Sequence, residues 1–530
     1  MSFATEFEER LKAGYPLIWI NSKEEDRVVK TVEDIAKRRR YEVMYWSAAH
    51  GIGPVATRQD EGGKLEQAVS MMMAVVRADE SDGKRFLFLL MDAHTSLIQY
   101  GSSYGTEACR HLRDLVSEWS NPHLKSKGHA VVVVSPTNEI PMELRQSAEI
   151  LDVERPTADE LGKALDGIVS VIHGAKCPAD ARAALVRAAL GMTYAEAENA
   201  FSLAAIRNKS LSLASVQTVF AEKCQNVKKS KCLTLRIPTA TGGLSRVGGF
   251  DRVKDFAGKI KRALSPEARA FGRPMPKGLL LIGVMGCGKS LITDMLSVEM
   301  GLPLLNWNLG ATFGSLQGET GQNTRETLEI ADAMAPCILR LDEADRQLSG
   351  SGSSDKTDGG TGARLISDIM TWLQEHTSPV YVVCTMNQID AIPEAFLRQG
   401  RFDAIFGADL PVEAERKDIL SILLRHLSVP RDPATFDIAA LAAASEGYSG
   451  AELEGAITRG LDAAFEAGRE LQTDDIMDGI ATIKPMVKVD PDGVRKIQAW
   501  IKEHAEPVSS YGLAKKAEGG ASFARRIDEN

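Results

Sequence analysis

The chain has 530 residues, 44% of them hydrophobic, enough for about two to four globular domains with sizeable cores. Its 63 basic and 72 acidic residues leave a net charge of −9, which excludes a global electrostatic pull toward nucleic acid or an anionic membrane surface. No run of about eighteen apolar residues occurs and the seven cysteines are scattered without C-x-x-C spacing, so the expectation is a soluble cytosolic protein with reduced thiols, no membrane insertion and no zinc site.

An acidic amphipathic segment, Met1–Arg10, precedes the first apolar strand, Tyr15–Asn21. That strand runs into Ser22–Asp26, which lacks glycines and places acids where a phosphate would otherwise sit. Arg38, Arg39 and Arg40 read as the basic end of a helix. A second apolar strand, Phe86–Met91, ends in Asp92 and His94; Asp92 reads as a strand-end polar residue and His94 as a surface or structural one. The basic stretch Glu222–Lys231 reads as a solvated linker in preference to a nucleic-acid contact.

Further along, Gly283, Val284, Met285, Gly286, Cys287, Gly288, Lys289 and Ser290 form a full G-x-x-x-x-G-K-S phosphate loop after the apolar run 278–282. Strand, loop and helix in that order bind nucleotide phosphates. The glycines let successive backbone N–H groups curl round them, Lys289 adds a point charge, Ser290 offers its hydroxyl to Mg²⁺, and Leu291 continues the helix. Cys287 invites a redox-switch reading, since backbone donors would lower a thiol pKa, although a small residue that fits the loop is the plainer account.

Cys337–Leu341 reads as the neighbouring strand, and it ends in Asp342 and Glu343. Asp342 would hold Mg²⁺ through its water shell, and Glu343 would orient and activate the attacking water. Arg340, inside that strand, is expected at an exposed or salt-bridged face. The strand Val380–Met386 ends in Asn387, an amide placed to touch both the γ-phosphate and the attacking water. Arg398 and Arg401 follow; guanidinium groups stabilise charge on a transferring phosphoryl, and if these reach a neighbouring subunit's nucleotide, activity requires a ring.

The phosphate loop, the Asp342–Glu343 pair, Asn387, the L-R-x-G-R-F-D segment ending at Asp403 and Gly447–Leu453 together resemble an AAA ATPase of the AAA+ superfamily. More narrowly, Ser265–Gly272, Pro276–Leu281, Gly359–Arg364, Thr371–Pro379 and Gly400–Phe406 resemble the AAA ATPases of cyanobacteria, plastids and other bacteria called hypothetical chloroplast reading frame forty-six, over roughly residues 5 to 500. The resemblance implies an α/β P-loop core with a parallel sheet and a helical lid. It also implies that Gly450 and Ala451 approach the adenine and ribose and that Val247–Gly249, Gly248 included, form the adenine-side loop, with Arg246 where an acid is usual. In the family's ring unfoldases a pore loop carries an aromatic residue; the matching stretch Phe313–Glu319 has Leu316 there, with Phe313 a packed anchor or a substitute. Arg325 matches a frequent subunit contact, with a plain surface arginine as the alternative.

The first half repeats the plan. Ala130–Gln146 parallels Tyr381–Gln399, Gly191–Glu198 parallels Gly447–Glu454, and nearly equal intervals separate Asp92 from Asn138 and Asp342 from Asn387. The expected organisation is a degenerate ATPase-like α/β module without a phosphate loop at 1–156, its helical lid at 157–222, a linker at 223–242, the ATPase core at 243–411, a second lid at 412–485, and a C-terminal helix with an unstructured tail at 486–530. Ser349–Gly362 and the tail from Ala505 are too poor in apolar residues to pack. The functional expectation is an ATP-hydrolysing, Mg²⁺-dependent, homo-oligomeric protein, a hexameric ring suspected, that remodels an unidentified protein client in a bacterial cytoplasm or plastid stroma. An ATP-gated assembly module without threading is the alternative, and a nucleic-acid-stimulated motor the less favoured third.

Overall fold

The computed structural model describes residues 3–54, 63–78, 84–98, 106–120, 128–137, 139–172, 177–208, 211–238, 242–313, 319–345, 361–390, 392, 394–398 and 400–511. Asn138, Leu316, the stretch 349–360 and the tail 512–530 lie outside them. The chain divides into two compact units, Met1–Phe220 and Ala221–Asn530.

In the first unit, β1 (Leu17–Asn21), β2 (Tyr41–Ser47), β3 (Gly51–Gly53), β4 (Arg85–Met91), β5 (Ala130–Ser135) and β6 (Glu149–Asp152) form one sheet in the order β3-β2-β4-β5-β1-β6. Every pairing is parallel except the β2–β3 hairpin. The central strands β1, β4 and β5 are covered on both faces, which is why they are almost wholly apolar. Trp19, Phe86, Phe88, Leu90 and Val133 pack in one core with the helices Leu65–Ala78 and Glu107–Ser120. Their sequence neighbours Ile18, Ile20, Leu87, Leu89 and Val132 pack in the other, with the helices Phe3–Ala13 and Glu25–Arg39. A helical bundle, Ala158–Val171, Ala179–Ala189 and Tyr194–Asn208, closes round Leu161, Leu165, Leu185 and Phe201.

In the second unit, β7 (Leu233–Arg236), β8 (Gly278–Gly283), β9 (Leu304–Trp307), β10 (Cys337–Leu341), β11 (Val380–Met386), β12 (Ala404–Ala408) and β13 (Glu506–Pro507) are ordered β13-β12-β8-β11-β10-β9-β7. Only β7 runs antiparallel to its neighbour. Setting aside β3, β7 and β13, the two sheets share one permutation: the first strand lies between the fifth and the fourth, with the third and second beyond. The repeat read from the sequence is therefore a repeat of topology. The second bundle, Glu413–Arg425, Ile438–Ala444, Gly450–Glu466 and Thr473–Thr482, packs round Leu420, Leu441, Leu453 and Ile476.

Two stretches depart from expectation. The region taken as a solvated linker is structured: the helix Ser215–Lys229 buries Lys223, Cys224 and Val227, and β7 pairs with β9 through Thr234 and Asn306. The charges of Lys228 and Lys229 sit on the last turn, where they suit the helix dipole, so the basic run masks an apolar face. The segment following the helix Pro491–His504 is also ordered. Its residues Glu506 and Pro507 add β13 to the sheet edge, the Val508 N–H donates to the Gly407 carbonyl at 3.2 Å, and Ser510 caps the Asp251 carboxylate by amide and hydroxyl.

Candidate functional site

The phosphate loop springs from the C-terminal end of β8. At Gly283 a Cβ would lie 2.0 Å from the Ala408 carbonyl of β12, so only glycine lets the two strands pass. Gly286 and Gly288 take φ of 80° and 87°, the left-handed region that glycine enters without cost. Gly288 then opens the helix Lys289–Met300, whose first N–H groups and positive dipole end face the loop. Lys289 is 6% exposed and donates to the carbonyls of Gly283 and Val284, each at 2.8 Å. Burial holds its ammonium below the usual lysine range. The same burial favours the plainer account of Cys287 over the redox-switch reading: its thiol is pushed up to about 12.

At the end of β10 the Asp342 Oδ1 accepts from Ser290 Oγ at 2.9 Å and from Thr385 Oγ1 at 2.6 Å. Thr385, in β11, also accepts from the Glu343 N–H at 2.9 Å. Glu343 itself stands at φ 47°, uncommon for a residue with a Cβ, and that amide contact fixes the twist which turns its side chain into the cavity. Asp345, buried behind, accepts from the Gln388 N–H at 2.9 Å and so anchors the turn that presents Asn387. The oxygens of Asp342 and Ser290 suit a hard dication that completes its shell with water and phosphate. Among the described residues no group of three His, Cys, Asp or Glu forms an all-protein metal cage, as such a site requires none.

Lys289, Ser290, Glu343 and Thr385 line a cavity of about 740 Å³, within the range of cofactor sites. Met285, Gly286, Cys287, Gly288, Lys289, Ser290 and Leu291 form its floor, with Glu343 and Asn387 beside them. Gly248, Gly450 and Ala451 wall it. A Cβ on Gly248 would meet the Ile419 side chain at 2.5 Å, so glycine there permits the loop to lie against the lid. Gly283, Val284 and Asp342 are not among its lining residues. Arg398 is exposed and Arg401 half-buried, and neither is among the lining residues.

Sequence reasoning missed several walls. Thr385 could have been found as a hydroxyl in an otherwise apolar strand. Ile419, Ile422 and Leu423 of the lid carried no signal beyond amphipathicity, and Lys502, Val508 and Ser509 were assigned to the C-terminal helix and tail. Arg340 takes the second of the two placements expected of it: it is salt-bridged, Nη1 to Asp294 Oδ1 at 2.8 Å, with its side chain 8% exposed.

The first unit fills the equivalent place with protein. Its helix Glu25–Arg39 follows β1 almost at once, the Glu24 carboxylate accepts from the Tyr194 N–H of the lid, and Arg27 bridges Glu24 and Glu160 at 3.0 Å each. Carboxylates thus occupy the helix-terminus position that phosphates would take.

Residues 279–410 match the family described as ATPase family associated with various cellular activities (AAA). Residues 3–153 and 159–230 match the N-terminal and second domains of SpoVK-like AAA ATPases. The uncharacterized AAA domain-containing protein ycf46 of Guillardia theta is 30% identical over 501 residues, 94% of this chain and 95% of its own. That of Trieres chinensis is 30% identical over 501 residues, 94% and 97% of the two chains. The ATP-dependent zinc metalloprotease FtsH of Acidothermus cellulolyticus is 32% identical over 232 residues, covering 42% of this chain and 34% of its own. Among the described residues no helix is long and apolar enough to cross a membrane. An intact phosphate-loop core behind a module of like topology, matched along almost its whole length by the ycf46 proteins, places the chain in the AAA ATPase family.

Proposed function

We propose that the chain hydrolyses ATP in the cavity of the second unit and acts as a ring-forming remodeller of a protein partner. The observation that carries this reading is the convergence of the phosphate loop, Glu343 and Asn387 on one cavity, while the exposed Arg398 stands outside it. Residues 283–290 cradle the phosphates, and Lys289 exchanges its loop carbonyls for phosphate oxygens. Ser290 and Asp342 would hold Mg²⁺, which when bound would supply screening of the phosphate charge. Glu343 takes a proton from water as it attacks, and Asn387 orients that water against the γ-phosphate. Arg398, with Arg401, serves the nucleotide of a neighbouring copy, so a homo-oligomeric ring, hexameric by family habit, is the active form. The first unit, with its phosphate position filled by Glu24, serves docking or assembly.

Glu343→Gln is expected to retain ATP binding and lose turnover; normal turnover would remove Glu343 as the base. Turnover per chain is expected to rise steeply with protein concentration, and Arg398→Ala to abolish that rise. The competing reading, an ATP-gated assembly module that threads no polymer, draws on Leu316 at the pore position. Slow turnover indifferent to any added polypeptide would favour it, whereas stimulation by DNA or RNA would favour a nucleic-acid motor.

A further inference from the structure

Arg340 sits where a parallel strand ordinarily carries an aliphatic residue. It lies mid-β10, in register with Asn306 of β9 and Val383 of β11, between the buried Leu339 and Leu341. Its guanidinium points toward the helix Lys289–Met300, where Nη1 donates to Asp294 at 2.8 Å. Nε is buried without a hydrogen-bond partner and lies 4.0 Å from Asp342 Oδ2. Asp342 Oδ1 is already committed to two hydroxyls, so Oδ2 is the oxygen that faces the arginine. Asp294 in turn divides its carboxylate between Arg340 and the more exposed Arg236 of β7, 3.2 Å away.

A buried permanent cation so near a carboxylate that is one-third exposed has two consequences. Before a dication arrives it offsets the charge of Asp342, and once one has arrived the two like charges repel at short range, partly screened by the solvent that reaches the carboxylate. The charge-assisted bond to Asp294 draws the guanidinium back and leaves Nε at 4.0 Å instead of in contact. Asp294 therefore sets how strongly Arg340 opposes the metal.

We propose that Arg340 is a positioning residue that weakens divalent-cation capture at Asp342, and that Asp294 restrains it. Fast loss of the metal after each turnover is the gain such a residue offers. The inference rests on Asp342 holding Mg²⁺, and the experiment separates the two.

Binding of a fluorescent ATP analogue to the full chain is titrated with Mg²⁺, with turnover playing no part in the readout. Arg340→Met is expected to lower the Mg²⁺ concentration for half-maximal binding about tenfold, the effect of one neighbouring charge. Asp294→Asn frees the guanidinium and is expected to raise it by a similar factor, and the double variant to titrate like Arg340→Met, because Asp294 acts through the arginine. Arg340→Lys keeps the charge and the Mg²⁺ requirement. A purely structural arginine would alter thermal stability and leave all four titrations superimposed, which overturns the inference. Should Arg340→Met fail to fold, an unmoved Asp294→Asn overturns it alone. If the unsubstituted protein needs no Mg²⁺, the reading of Asp342 falls and this inference with it.

Discussion

The Ala451 N–H donates to the Gly286 carbonyl at 3.1 Å, so the first turn of a lid helix rests directly on the phosphate loop. The fit leaves no room for a side chain. A Cβ on Gly286 would meet Ser449 Oγ at 2.7 Å and the Ala451 Cβ at 3.3 Å, in a backbone conformation that already disfavours one. Ser449 cannot easily yield, because its hydroxyl caps the Glu452 N–H and Glu452 also accepts from Met486. Gly286→Ala is therefore expected to lift the lid and weaken binding of a non-hydrolysable ATP analogue about tenfold or more, with little change in the melting temperature. Unaltered affinity would mean that lid and loop do not act as one surface.

Thr385 holds two functional groups with one hydroxyl, donating to Asp342 and accepting from the Glu343 amide. Thr385→Val keeps the shape of the side chain and removes both bonds. By analogy with the groups that orient metal ligands elsewhere, kcat should fall about 10- to 100-fold while the KM for ATP moves little. Thr385→Ser should restore most of it. A packing role alone would reverse the order, sparing the valine variant, which keeps the shape, and impairing the serine variant, which lacks the methyl.

The C-terminal strap is tied at the Asp251 carboxylate by the Ser510 amide and hydroxyl, and at Arg252 by an ion pair with Glu506 of 2.7 Å. Between those ties Val508 and Ser509 wall the cavity. Asp251→Ala is expected to speed release of a fluorescent nucleotide several-fold, whereas deleting residues 512–530 should leave the release rate unchanged. Identical rates in Asp251→Ala and the unsubstituted chain would detach the strap from the site.

The phosphate-loop sequence and the acidic pair after β10 were legible because each combines rare residue types at a characteristic spacing. Gly286, Lys289, Asp342 and Asn387 lie where the strand-loop-helix pattern put them, and the doubled topology was legible through the paired motifs near Asn138 and Asn387. What escaped was decided by tertiary packing. Nothing local distinguishes Lys223 from the solvated lysines after it, yet it alone turns inward, 4% exposed, with Nζ 3.4 Å from the Ala335 carbonyl. The strap's Pro507 and Val508 carry no strand pattern of their own and are ordered by the open edge of β12. Asp92 and Glu343 share a left-handed backbone after their strands, φ 51° and 47°, a likeness invisible in residue type.

Lys223 supplies a test of that buried charge through pH. Burial lowers its pKa from 10.5 to about 8. Between those values the unfolded chain binds more protons than the folded one, so this group's contribution to stability rises with pH across the window and is least favourable below pH 8. Lys223→Met should accordingly stabilise the protein at pH 7, by about 1–3 kcal/mol, and lose that advantage as the pH approaches 10.5. Urea midpoints of both proteins at pH 7 and pH 10 make the comparison, and the titrations of other cysteines and tyrosines, common to both chains, cancel in the difference. A gap of equal size at the two pH values would assign the change to packing of the methionine and not to removal of the charge.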